Sequence, residues 1–197
     1  MKTLLTLFVL LFSSLVVAAD ISDFEIENMS IGDSLLDYIS EEEILKEIES
    51  TSEHYKYLNN TTKFGEIYIF NDENFKTYEN LSFFVKTDDK KYKIYSVDGI
   101  IYYLNNIDDC YKKKDEIEKE LSEIFKDTKK VDKGTTKHTI DKSGKSTTTT
   151  IYWKFDSGDF VGLECYDWSK ELETTKNWYD HLRISVVKKE LNDWLEH

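Results

Sequence analysis

The longest apolar run stands at the start of the chain. Lys2 precedes Leu4–Val17, a stretch broken only by Thr6, Ser13 and Ser14, and Val17-Ala18-Ala19 leads out of it to Asp20. A positive residue, an apolar run of about 14–16 residues and a small-residue exit predict a cleavable signal peptide over residues 1–19. A membrane-spanning helix needs ~20 apolar residues. No second long apolar run follows, so the mature chain, 20–197, is expected to be one domain with no transmembrane segment.

The mature chain alternates between helical and strand periods. Ile31, Leu35 and Ile39 share one helical face, and Ile44, Leu45 and Ile48 share another. Ser30 with Asp33, and Ser40 with Glu43, match capping boxes, so residues 29–50 predict a pair of short helices. Four strand-like runs follow at 64–70, 81–86, 92–97 and 100–104, rich in β-branched and aromatic residues. Asp98-Gly99 between the last two is a two-residue hairpin signal. Residues 109–125 predict a helix with Ile117, Leu121, Ile124 and Phe125 as its apolar stripe. Polar residues 126–150 read as a loop entering a hairpin that turns at 142–145. Strands are expected at 146–155, 160–167 and 182–187, and a last helix carries Val187, Leu191, Trp194 and Leu195 on one face. Strand runs separated by single helices predict an α+β fold. Its antiparallel sheet or sheets would carry an N-terminal helix pair, one central helix and a C-terminal helix.

Charge narrows the partners. The formal charge is -13, which argues against nucleic acid and anionic lipid, because both require a basic surface. It is unevenly spread: residues 20–60 hold twelve acids against Lys46 and Lys56, while 126–149 hold seven lysines against three aspartates. Those lysines read either as a contact surface for an acidic partner or as a solvated hairpin. The chain has no Pro and abundant Lys, Asn, Ile and Tyr, which suggests an AT-rich genome and little about activity.

Cys110 and Cys165 are the two cysteines, and in an exported protein an even count predicts a disulfide. Familiar catalytic patterns fail. Ser143-Gly144-Lys145-Ser146-Thr147 has the tail of a phosphate-binding loop, but Thr139 replaces the required first glycine and a strand, not a helix, should follow. His54, His138, His181 and His197 show no metal-ligand spacing, and no G-x-S-x-G is present. No metal or cofactor is therefore expected. The sequons at Asn28, Asn59, Asn60 and Asn80 match a short, common pattern. Two segments place aromatics beside carboxylates: Tyr166-Asp167-Trp168 and Trp178-Tyr179-Asp180. Such groups suit sugars or cationic ligands, and equally suit a packed core edge whose polar tips find partners.

The segment DFEIENMSIGDSLLDYISEEEI, the strand-rich body and the CYDW segment resemble small exported proteins of AT-rich marine alphaproteobacteria of the Pelagibacter type. The resemblance spans most of the mature chain. It implies a periplasmic location and no particular activity. The helix pair before a sheet is also similar to small outer-membrane assembly lipoproteins, although the lipid-anchor Cys of those proteins is missing. The resulting expectation is an exported, non-enzymatic domain that binds a protein or a small molecule of the envelope. The alternatives are a hydrolase-type enzyme with a site assembled from distant residues, or an envelope assembly factor.

Overall fold

The computed structural model describes residues 20–55, 57–58, 63–70, 72–104 and 106–196. The expected signal peptide and the sequons at Asn59 and Asn60 lie outside them. Within them runs one antiparallel seven-stranded sheet of order β1-β2-β3-β7-β6-β5-β4. Its strands are β1 (Phe64–Phe70), β2 (Asn80–Lys86), β3 (Ile94–Tyr102), β4 (Lys129–Lys137), β5 (Thr147–Lys154), β6 (Phe160–Asp167) and β7 (His181–Val187). The helices are α1 (Glu41–His54), α2 (Ile107–Ile124), α3 (Lys170–Lys176) and α4 (Lys189–Leu195). The α+β class and the antiparallel sheet agree with the sequence pattern, and no described helix is long and apolar enough to cross a membrane.

The topology is two meanders joined at the middle. β1-β2-β3 fold back and forth, α2 then carries the chain to the far edge, and β4-β5-β6-β7 return until β7 pairs with β3. Four strand spacings separate β3 from β4, ~19 Å at ~4.8 Å each. The 18 residues of α2 span ~27 Å, enough for an oblique crossing of the sheet. On the covered face, Cys110, Ile117, Leu121 and Phe125 of the helical segment pack onto Ile151, Trp153, Leu163, Leu182 and Ile184. α1 covers β1 on the same face, where Ile48 fills the space left by Gly65. Cys110 and Cys165 stand at disulfide distance with Cα atoms 6.1 Å apart, tying the first turn of α2 to β6.

Three expectations are corrected, and one helix is new. The N-terminal helix pair is one helix: the Ser40–Glu43 capping box starts α1, but residues 29–39 form no α-helix. Gly32 takes φ +96°, the Gly32 and Leu35 amides bond to Ile94 and Tyr92, and only a 3₁₀ turn forms at Leu35–Asp37. The apolar side chains of this stretch, Met29, Ile31 and Leu35 among them, cover the core instead of lining a helix face. Asp98-Gly99 is no hairpin. It lies inside the continuous β3, with Asp98 paired to Ser82 on one side and Ser185 on the other. The glycine answers a packing need: a Cβ there would sit 2.5 Å from the buried Tyr78 ring. The hairpin expected to turn at 142–145 is present as β4–β5, but its first arm reaches back to Lys129 into the segment expected to be loop, because the ladder to β5 is satisfied by backbone and needs no apolar side chains. The exposed lysines of β4 guard an open edge against pairing with another chain. Helix α3 buries no residue, so no periodicity announces it.

Two outcomes follow. Denatured, unreduced protein is expected to show no free thiol, and a Cys110→Ala/Cys165→Ala variant to lose about 4 kcal/mol of unfolding free energy for a 55-residue separation; quantitative labelling and urea titration read both, and two labelled thiols would refute the bridge. Gly99→Ala is expected to cost about 1–3 kcal/mol through collision with Tyr78. Near-neutral stability would contradict the close packing of Tyr78 on this position.

Candidate functional site

The two aromatic segments read from the sequence meet in space. Asn177 takes the left-handed conformation that ends α3 and turns the chain back toward β7. Trp178 then lies 4.8 Å from Trp168, centroid to centroid, and Tyr166 stacks on His181 at 4.5 Å. His138 completes the group, 4.6 Å from Trp168. The neighbouring carboxylates are used differently. Asp180 Oδ1 accepts the Trp168 amide at 2.6 Å, clamping the two segments together. Asp167 alternates to the α2 side, where burial raises its pKa and the Tyr111 hydroxyl counters that rise. Tyr179 stands apart and half-exposed, edge-on to Tyr102 at 6.3 Å. The aromatics are thus assembled, whereas Asp167 is not among them and Asp180 is spent on backbone.

A second constellation lies on the sheet face opposite α2. Strand register sets it. Ser82, Asp98, Ser185, Gly162 and Tyr152 form one row across β2, β3, β7, β6 and β5. Ile100, Arg183, Glu164 and Thr150 form the next. Three carboxylates here are held by hydroxyls. Asp98 accepts from Ser82 at 2.8 Å and Ser96 at 3.0 Å. Glu164 accepts from Tyr166 at 2.9 Å and Thr150 at 3.2 Å. Glu66 accepts from Tyr68 at 2.9 Å and from Tyr57, and burial pushes its pKa up.

Arg183 sits among these acids without touching them. Its guanidinium lies 5.0 Å above the Tyr166 ring, within electrostatic reach of Asp98 and Glu164. Among the described residues no ion pair or hydrogen bond engages it, and its Nε is fully buried without a partner. Beside it a cavity of about 160 Å³ opens between the sheet and α4. Phe84, Ser96, Val187 and Phe160, one row across β2, β3, β7 and β6, line one end with Leu191, Asn192 and Leu195 of α4; Asp98, Tyr152, Glu164, Arg183 and Ser185 line the other. Gly162 also lines it. A Cβ on Gly162 would meet Tyr152 only at 3.5 Å, an ordinary contact, so the protein's own packing does not demand glycine there. Glycine inside a strand otherwise marks close approach by another group.

The sequence holds a signal for this site. Arg183 is the chain's single arginine among 26 basic residues, and it falls between the apolar Leu182 and Ile184 of a strand. At that one place the chain carries a planar fork of donors, which lysine cannot imitate. No protein-family model, curated protein or solved structure matches the chain. Among the described residues no group of acidic, histidine or cysteine side chains is arranged to hold a metal ion.

His181 links the two constellations, packed by Tyr166 and Tyr102 with Arg183 and His138 nearby. Burial, reinforced by the Arg183 charge, pushes its pKa down to about 3. In the unfolded chain a histidine titrates near ~6.5. Below that pH the unfolded state takes up a proton that the folded state refuses, so stability falls as pH drops from about 6.5 toward 3. Between about pH 6.5 and pH 5, above most carboxylate titration, this amounts to about 1.5 kcal/mol. His181→Gln is expected to abolish that part of the pH dependence in urea unfolding; an unchanged dependence would show that His181 is not its source.

Proposed function

We propose that the chain is an exported binding protein for a small polar molecule, and that the cavity between the sheet and α4 is its site. The unengaged guanidinium of Arg183 at the cavity wall carries this reading. Arg183 is partly exposed, but its Nε–H is buried with no acceptor, and a buried donor left without a hydrogen bond costs about 1–3 kcal/mol. Electrostatics from Asp98 and Glu164 offset part of that cost, and a ligand acceptor meeting the fork would supply the missing bonds. The floor at Gly162, open where strand packing would accept a side chain, supports the same assignment. The carboxylates argue for binding above hydrolysis, since each is already tied to two hydroxyls and none is presented bare. The aromatic group of Tyr166, Trp168 and Trp178 then serves as a wall that orients Arg183 through the Tyr166 ring. The location in the envelope rests on the leader-like first 19 residues and on the cysteine pair.

The test is thermal unfolding of the mature chain against a panel of amino acids, simple carboxylates, amines and sugars. Ligand at a hundred times its Kd stabilises by about 2.7 kcal/mol. For a domain of this size each kcal/mol moves Tm by ~2–4 °C. At least one class is expected to raise Tm by several degrees in the wild type and to lose that effect in Gly162→Val, whose side chain enters the cavity. A panel without effect, or equal shifts in the variant, would refute the site.

A further inference from the structure

We infer that the ligand is a zwitterion with a short aliphatic body, a free α-amino acid of about leucine's size. The inference rests on the cavity being a binding site and adds the chemistry of its occupant.

Three features of the cavity select that class. The first is paired charge. Arg183 offers donors in a planar fork, which matches a carboxylate with two parallel hydrogen bonds. Asp98 and Glu164 line the same polar end. Each Asp98 oxygen accepts one serine hydroxyl, and a carboxylate oxygen has two lone pairs, so capacity remains for an ammonium. A plain carboxylate would add a negative charge beside two acids and leave them unanswered. A plain amine would leave the guanidinium unengaged. A molecule with both groups on one carbon meets both demands across the short separation that neighbouring strands impose, Asp98 on β3 and Arg183 on β7.

The second feature is the apolar end. Phe84, Phe160, Val187, Leu191 and Leu195 dominate it, and its two polar side chains are already engaged, Ser96 donating to Asp98 and Asn192 to Glu196, so the remainder of the ligand is largely hydrocarbon. Sugars, with hydroxyls on every side, would leave donors unmade there at a cost. The third is size. A cavity of about 160 Å³ compares with the ~150 Å³ engineered cavity that holds benzene. It therefore matches a buried moiety of roughly six to ten heavy atoms.

Calorimetric titration of the mature chain with three probes tests this. They are L-leucine, 4-methylpentanoate, which lacks only the ammonium, and 3-methylbutylamine, which lacks only the carboxylate. Leucine is expected to bind at least tenfold more tightly than either half-molecule. Arg183→Lys keeps the positive charge that balances Asp98 and Glu164 but loses the fork, and is expected to weaken leucine about tenfold to a hundredfold. Gly162→Val leaves every charged group in place and is expected to abolish leucine binding; circular dichroism verifies that both variants fold. A half-molecule that binds as tightly as leucine overturns the zwitterion, as does unaltered leucine affinity in Arg183→Lys. If leucine fails while another class in the panel stabilises the wild type but not Gly162→Val, the ligand class falls and the binding site stands. If no class acts, both fall.

Discussion

The pairing of β3 with β7 is the constraint on which the rest of the molecule depends. It is the seam between two meanders formed from distant parts of the chain, and its register sets Asp98 opposite Ser185 and Ile100 opposite Arg183. Side chains alternate across a strand, so a slip of one residue would turn Arg183 into the core beneath α2 and bring Leu182 and Ile184 out. The apolar set Val97, Leu182, Ile184 and Val186, all fully buried, forbids that slip. Hydrophobic packing on one face therefore fixes the geometry of the polar face.

The polar face is costly to build and is built with care. Asp98, Glu66 and Asn80 are buried on a sheet surface where apolar residues would be cheaper. The solution is a lattice of short hydroxyl donors. Serines at 82 and 96 and tyrosines at 57, 68 and 166 satisfy the carboxylates while adding no charge of their own. Arg183 provides the compensating positive charge at a distance, with its hydrogen-bonding capacity uncommitted. Such a donor group held ready by surrounding structure lowers the ordering cost of binding. The α4 helix then sets the depth of the site. Leu191 packs into a small cluster with Leu58, Phe64, Phe84 and Val187, and Trp194 packs tilted against Phe64.

The same face explains the role of the aromatic segments. Tyr166 sits between His181 and Arg183, donates to Glu164 and carries Trp168 two residues on. Asp180, sequence neighbour of His181, bonds back to the Trp168 amide. The aromatic group is thereby joined to the charged row as one continuous surface. A reading of residues in sequence order sees the rings beside the acids and cannot see that alternation sends Asp167 to the opposite face.

Sequence alone determined what depends on local pattern. The α+β class, the long central helix with its stripe at Ile117, Leu121 and Phe125, the capped start of α1 and most strands follow from periods of 3.6 and 2 and from one capping box. The cysteine pair followed from an even count in a chain that opens on a leader-like apolar run. Tertiary structure decided what depends on partners. Glycine at 99 reads locally as a turn, and only its pairing with Leu81 and Ile184 makes it a strand residue, with the Tyr78 ring accounting for the missing side chain. Lysine-rich residues 129–137 become a strand because β5 presents a free ladder. Residues 30–35 give up a helix because the Gly32 and Leu35 amides find the carbonyls of Ile94 and Tyr92, at and just before the start of β3. The site is the extreme case. Asp98, Glu164 and Arg183 lie on three strands far apart in sequence, and nothing in the composition of any one strand announces the others. Their convergence comes from long-range register, which is set by the burial of the opposite face and has no local code.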